Sequence, residues 1–122
     1  MGGNGSFASG STDSELGRAW KTIGTVEEIQ IVTPKNPKAS VKLPEESHTP
    51  DRMYATFYSD GHDVKAIAQY GPDGKKIWEI HTVDHKGLGA HYHNWKDGHP
   101  EGVPASITSE MKKILDKVRN FK

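Results

Sequence analysis

The run Met53-Tyr54-Ala55-Thr56-Phe57-Tyr58-Ser59-Asp60-Gly61-His62-Asp63-Val64-Lys65-Ala66-Ile67-Ala68-Gln69-Tyr70-Gly71-Pro72-Asp73-Gly74-Lys75-Lys76-Ile77-Trp78-Glu79-Ile80-His81-Thr82-Val83 decides the fold. It holds three apolar, β-branched and aromatic stretches, Met53 to Tyr58, Asp63 to Tyr70 and Lys75 to Val83. They are separated by Ser59-Asp60-Gly61 and Gly71-Pro72-Asp73-Gly74, residues that turn a chain back on itself. Three strands joined by tight turns make a β-meander. His91 to Trp95 adds a further short strand, reached through the glycine-containing loop Asp84 to Ala90 and closed by the Asp97-Gly98 turn.

Downstream the period changes from two to between three and four. Ile107, Met111, Ile114, Leu115, Val118 and Phe121 define one apolar stripe of a helix, with Thr108 placed to cap its N-terminus and Ile107 just outside it. Pro100 to Pro104 is expected to be a connection. Upstream, Val26 to Thr33 alternates as a strand, and Thr12 to Ile23 has a capping-box start with Leu16, Ala19, Trp20 and Ile23 at helical spacing. Pro34, Pro37, Pro44 and Pro50 limit the segment between them to short extended pieces such as Ala39 to Leu43. The expectation is an α+β fold, a small antiparallel β-meander packed against a C-terminal α-helix, in which the helix covers one face of the sheet.

Composition fits one small domain. The chain has 122 residues, 33% hydrophobic and 26% charged, with a formal net charge of zero and a mean hydropathy of −0.75. Residues 1–11 are Gly, Ser and Asn with little apolar content, the composition of a flexible linker or a cloning remnant, so residues 12–122 form the expected domain. A balanced charge gives no global attraction to nucleic acid or membrane, leaving local arrangement to decide. Without cysteine, disulfides and thiolate metal sites are excluded. No apolar run approaches the roughly 20 residues of a membrane helix, so a soluble protein with no membrane partner is expected.

Chemistry concentrates in one place. Of the seven histidines, His81, His85, His91, His93 and His99 fall within nineteen residues, and imidazole is both the side chain suited to proton transfer near neutral pH and the commonest metal ligand. Strand alternation puts His91, His93 and Trp95 on one face and Tyr92 and Asn94 on the other, and likewise groups Glu79 with His81. If the two strands are in matching register, three rings and a carboxylate assemble, whereas a slip of one residue would reverse every side chain.

Three readings of that cluster follow. In the first, one ring deprotonates a nucleophile and another protonates the leaving group, with Glu79, Asp84 or Asp97 fixing a tautomer; this is the chemistry of a metal-independent ribonuclease, with Lys86 or Lys96 as the cation for the phosphate and no cofactor. In the second, His85, His91 and His93, with His81 and a carboxylate from Asp84, hold Zn²⁺ or another divalent metal. In the third, the rings are hydrogen-bonded surface groups or coat a partner. A His-Asn-His metallonuclease is disfavoured, because Gly98, Pro100 and Pro104 oppose the helix that would carry its last ligand. Gly87-Leu88-Gly89 lacks the lysine and helix of a phosphate loop and instead supplies backbone freedom. Trp78 and Trp95 are large enough to stack a base but suit a core equally.

The run Gln69-Tyr70-Gly71-Pro72-Asp73-Gly74-Lys75-Lys76-Ile77, leading to Asp84-His85 and then to Ala90-His91-Tyr92-His93-Asn94-Trp95, resembles C-terminal His-rich domains of bacterial polymorphic toxins. It is similar also to the C-terminal tails of phage minor-capsid or head-morphogenesis proteins. The likeness spans about residues 52 to 115; position 90 is Ala where that pattern has Pro, and the Pro- and Lys-rich segment before residue 52 has no counterpart. The resemblance implies a ribonuclease-like toxin domain with Asp84, His85, His91 and His93 as motif positions. With His81, these make the expected catalytic set, and Lys86, Lys96 and Trp95 the substrate-binding set. Implied partners are RNA as substrate, a larger carrier or phage head protein, and an immunity protein, with the domain virion-associated or delivered by a secretion system. The rival it implies is a non-enzymatic phage-head accessory domain.

Overall fold

The computed structural model describes residues 20–35, 43, 51–83 and 89–121. Among these residues, seven strands and one helix follow one another: β1 Trp20–Val26, β2 Ile29–Pro34, β3 Met53–Phe57, β4 Val64–Tyr70, β5 Lys76–His81, β6 His91–Lys96, β7 His99–Ser106 and α1 Ser109–Arg119. The strands form a single sheet in sequence order, and every neighbouring pair is antiparallel except β2 and β3, which run parallel. The sheet-plus-helix layout agrees with the sequence. The sheet is larger than the expected small meander and, because of the β2–β3 pair, mixed.

Three local expectations are corrected. Trp20 to Ile23 is strand where the spacing suggested the end of a helix; Thr22, Ile23, Thr25 and Val26 are β-branched, and pairing with β2 rewards that stiffness. The single strand expected over Val26 to Thr33 is a hairpin that turns at Glu27, whose φ is 54°. Pro100 to Pro104 is part of β7, the last strand of the sheet. Prolines lack a ladder donor and are tolerated at an edge, where one side of the strand has no neighbour to bond. The Asp97-Gly98 turn into β7 has both residues at positive φ, 52° and 83°, the geometry of a two-residue hairpin with the right-handed twist of its strands. The linker of residues 1–11, most of Thr12 to Ile23 and Ala39 to Leu43, and most of the Asp84 to Ala90 loop lie outside the described residues.

The sheet has two buried faces. On the first, Ile29, Ile31, Ala55, Val64, Ile67 and Ile80 pack against Met111, Leu115 and Val118 of α1. Thr108 caps the helix, its Oγ1 accepting from Met111 N at 3.1 Å, and Glu110 in the first turn with Lys117 and Arg119 in the last complements the helix dipole. Lys117 reaches Glu27 at 3.1 Å, and Arg119 donates twice to Asp63, at 2.9 and 3.1 Å, tying the C-terminal end of the helix to turns of the sheet. On the second face Val32, Leu43, Tyr54, Ala66, Ala68 and Tyr70 form a separate apolar cluster. Leu43 comes from the stretch that joins parallel strands β2 and β3.

Bulges decide which side chains reach that second face. In β1 the pairing steps from Thr22 to Gly24, and in β5 it steps past Ile77, so Ile23 and Ile77 are left without strand partners. Both are exposed, at 49% and 44%. The extra residue re-aims its neighbours, as bulges do. At β5 the neighbour so re-aimed is Lys76, which lies opposite Tyr70.

Candidate functional site

Strands β5 and β6 meet in the register that the cluster needs. His81 lies opposite His91, and Glu79 opposite His93. Strand alternation then sends Tyr92 to the helix side, where it packs on the first apolar cluster, and keeps His91, His93 and Trp95 on the second face. Three imidazoles converge there. Their centroids are 5.8 Å apart for His81 and His91, 6.1 Å for His81 and His93, and 5.5 Å for His91 and His93, the first pair stacked and the other two edge-on. The set occupies the face away from α1, yet it is mostly enclosed, since His91 is only 3% exposed and Glu79 4%.

Each ring has a distinct setting. His91 Nδ1 faces the carbonyl of Gly89 at 3.1 Å, an acceptor, so Nδ1 is the donor in that contact. Gly89 has φ 67°, a conformation that glycine adopts without cost and that brings its carbonyl to the ring. His81 is the more open ring, its side chain 33% exposed, and its Nε2 stands 3.6 Å from Glu79 Oε1. His93 is half-buried between them and Trp95.

Glu79 is the hub of the charges. Lys76 Nζ donates to its Oε1 at 3.1 Å, and both side chains are almost wholly buried. Burial works to raise the Glu79 pKa, but the neighbouring His81 imidazole and Lys76 ammonium outweigh it and hold the carboxyl below its ordinary value. Lys76 reaches this face only because the bulge at Ile77 places it opposite Tyr70, on the side of Glu79 and not of Trp78. Its ammonium sits 4.3 Å from the centroid of the Trp95 ring, a cation–π contact, and Trp95 Nε1 is buried with no hydrogen-bond partner among the described residues.

Sequence reasoning anticipated His81, His91 and His93 as a same-face group with Glu79, and the register unites them. Asp84, His85 and Lys86 lie outside the described residues. Lys96 is exposed and, by alternation along β6, belongs to the face opposite the histidines. Trp95 does border the cluster, but one face of its ring is taken up by Lys76. His99 is exposed at the start of β7, and His62 is exposed in the β3–β4 turn, stacked on Tyr58 and paired with Asp60. Lys76 was missed. Only a bulge puts it in the site, and a bulge leaves no clear mark in the alternation of residues.

Among the described residues, no three His, Asp or Glu side chains form a group arranged to hold a metal ion. Also among them, no helix is long and apolar enough to cross a membrane. A groove of about 630 Å³ lies on the helix side, bordered by Glu27, Glu28, Asp51, Arg52, Ile114 and Lys117 among others, and no histidine lines it. The histidine cluster is the better candidate for chemistry, because it joins proton-transfer groups to a buried charge pair. No family model matches the chain, and comparison with curated proteins and with solved structures likewise finds no match.

Proposed function

We propose that this chain is a ribonuclease-like domain that cleaves RNA by metal-independent acid–base catalysis at its histidine cluster. The observation that carries the reading is the convergence of His81, His91 and His93 within 5.5 to 6.1 Å of one another beside Glu79. RNA holds its own nucleophile, so cleavage needs only two positioned proton carriers and charge stabilisation at the phosphate. The more open rings, His93 and His81, act as base and acid. His93 removes the proton of the 2′-hydroxyl, the 2′-oxygen attacks phosphorus, and the 5′-oxygen leaves with a proton from His81. The products are a 2′,3′-cyclic phosphate and a free 5′-hydroxyl. Buried His91 orients both rings, and Glu79 faces His81 as its counter-charge.

Asp84 and His85 join this set in the reading drawn from the resemblance to toxin and phage-tail domains, and Lys86 is the cation for the phosphate. The same reading makes the chain the toxin-like end of a larger carrier or phage head protein, with an immunity protein as its neutralising partner. Cleavage of a short RNA as a function of pH, with mass analysis of the ends, tests the chemistry. A bell-shaped rate profile bounded by two imidazole-like values and cyclic phosphate ends is expected. A 5′-phosphate product from the wild-type protein would remove the 2′-hydroxyl mechanism, and no cleavage of any RNA would leave the non-enzymatic head-accessory role.

A further inference from the structure

We infer that Lys76 is a positioning residue of the histidine site, holding Glu79 so that its carboxylate fixes the orientation of His81, with Trp95 as the cover that confines the lysine. This rests on the acid–base reading for its catalytic consequence, but its geometry is independent of that reading. Lys76 Nζ is 3.1 Å from Glu79 Oε1, and the same oxygen is 3.6 Å from His81 Nε2, so one carboxylate oxygen links the amine to the imidazole.

Two features argue that the arrangement serves the site and not stability. A buried ion pair is a poor way to stabilise a fold, since apolar residues of similar volume commonly do as well or better. The pair also requires the β5 bulge, which leaves Ile77 exposed at 44% and without a strand partner. A regular strand would instead have put Lys76 on the helix side with Trp78 and Ile80. Gly71 accommodates the displaced isoleucine, because a Cβ there would come within 3.3 Å of Ile77 Cδ1.

The alternative role for a lysine in such a site is to grip the substrate phosphate. The enclosure of Lys76 opposes that. Its side chain is 4% exposed, its ammonium is engaged by Glu79, and the Trp95 ring closes over it at 4.3 Å. It therefore acts through Glu79. Among the described residues, the groups around Glu79 are Lys76 and His81 on its own strand and His93 and His91 across on β6, while β4 presents Ala66, Ala68 and Tyr70.

The test compares Lys76→Met, Glu79→Gln and the double variant in the full chain. Two readouts are used: kcat and KM on a short RNA, and the ring-nitrogen NMR shifts of His81 without RNA. The expected result is a kcat at least about tenfold lower for Lys76→Met with KM little changed, His81 shifts that move away from those of the wild type, and a double variant no worse than Glu79→Gln alone. The double variant carries no unpaired buried charge, so it reports even if Lys76→Met folds poorly. Unmoved His81 shifts in the folded single variant, or additive losses in the double, would overturn the inference. A raised KM at constant kcat would also overturn it, in favour of phosphate binding. A wild-type protein that cleaves no RNA would defeat the acid–base reading and leave the His81 shifts to judge this one.

Discussion

His81 and His91 face each other directly across the β5–β6 ladder, and their rings stack with centroids 5.8 Å apart. That relationship brings together two residues ten positions apart in the chain, and it carries His93 and Glu79 with it, because side chains two apart on a strand share a face. The cluster is therefore a product of register. Whatever holds β5 against β6 holds the site.

The helix is the first support of the sheet beneath that register. Leu115 is 1% exposed in the centre of the α1 contact with Ile29, Ile31, Ile67 and Ile80. Leu115→Ala is expected to cost about 2–5 kcal/mol, through lost transfer energy and a residual cavity. Thermal or denaturant unfolding measures it, and an unchanged midpoint would show that α1 does not pack as described.

Much of this organisation is legible in the residues, and the failures have physical causes. The helix could be read because Met111, Leu115 and Val118 recur at its period and Thr108 is a competent cap. The faces of β5 and β6 could be read because alternation survives along Trp78 to His81 and His91 to Trp95. Register could not, since it depends on partner strands. Nor could the β5 bulge, so the presence of Lys76 beside Glu79 was missed; of the two lysines expected as the phosphate cation, Lys86 and Lys96, the second lies on the opposite face. The prolines of β7 argued against a strand by a rule that holds in a sheet's interior and relaxes at its edge. The parallel β2–β3 pair is set by long-range packing, in which Leu43 joins Val32 and Tyr54 across a connection with no local signature.

The N-cap gives a smaller and cleaner effect. Thr108 Oγ1 accepts from Met111 N, satisfying one of the donors left over at the helix start. Thr108→Ala should lower stability by about 0.5–2 kcal/mol and Thr108→Ser by much less. Equal losses for the two substitutions, by denaturant titration, would assign the effect to the threonine methyl and not to the hydrogen bond.

The buried pair makes stability depend on acid. Because the folded Glu79 pKa is lowered, its contribution is complete above the ordinary carboxylate value and is lost as pH falls through the lower folded value. The wild type should therefore lose stability on acidification more steeply than Glu79→Gln does. Parallel stability profiles for the two proteins would show that Glu79 is not held ionised by Lys76 and His81.

The same pair yields a prediction at neutral pH. Lys76→Met strands a buried carboxylate and is expected to cost about 3–5 kcal/mol, whereas Lys76→Met with Glu79→Leu removes both charges and should recover most of that loss. Chemical denaturation of the wild type, Lys76→Met, Glu79→Leu and the double variant completes the cycle. A double variant as unstable as the single one would mean that packing of the lysine stem, and not its charge, is what the site requires.

Chelation bears most directly on the claim that the histidines do proton transfer. The measurement is the initial rate of cleavage of a short RNA by the wild-type protein, His93→Ala and His81→Ala, with excess chelator and with added divalent metal. The account predicts wild-type cleavage that chelator leaves intact, together with losses of about 100-fold or more in each variant while the folded spectrum is retained. Cleavage that vanishes with chelator and returns with metal, or that persists in both variants, would contradict it.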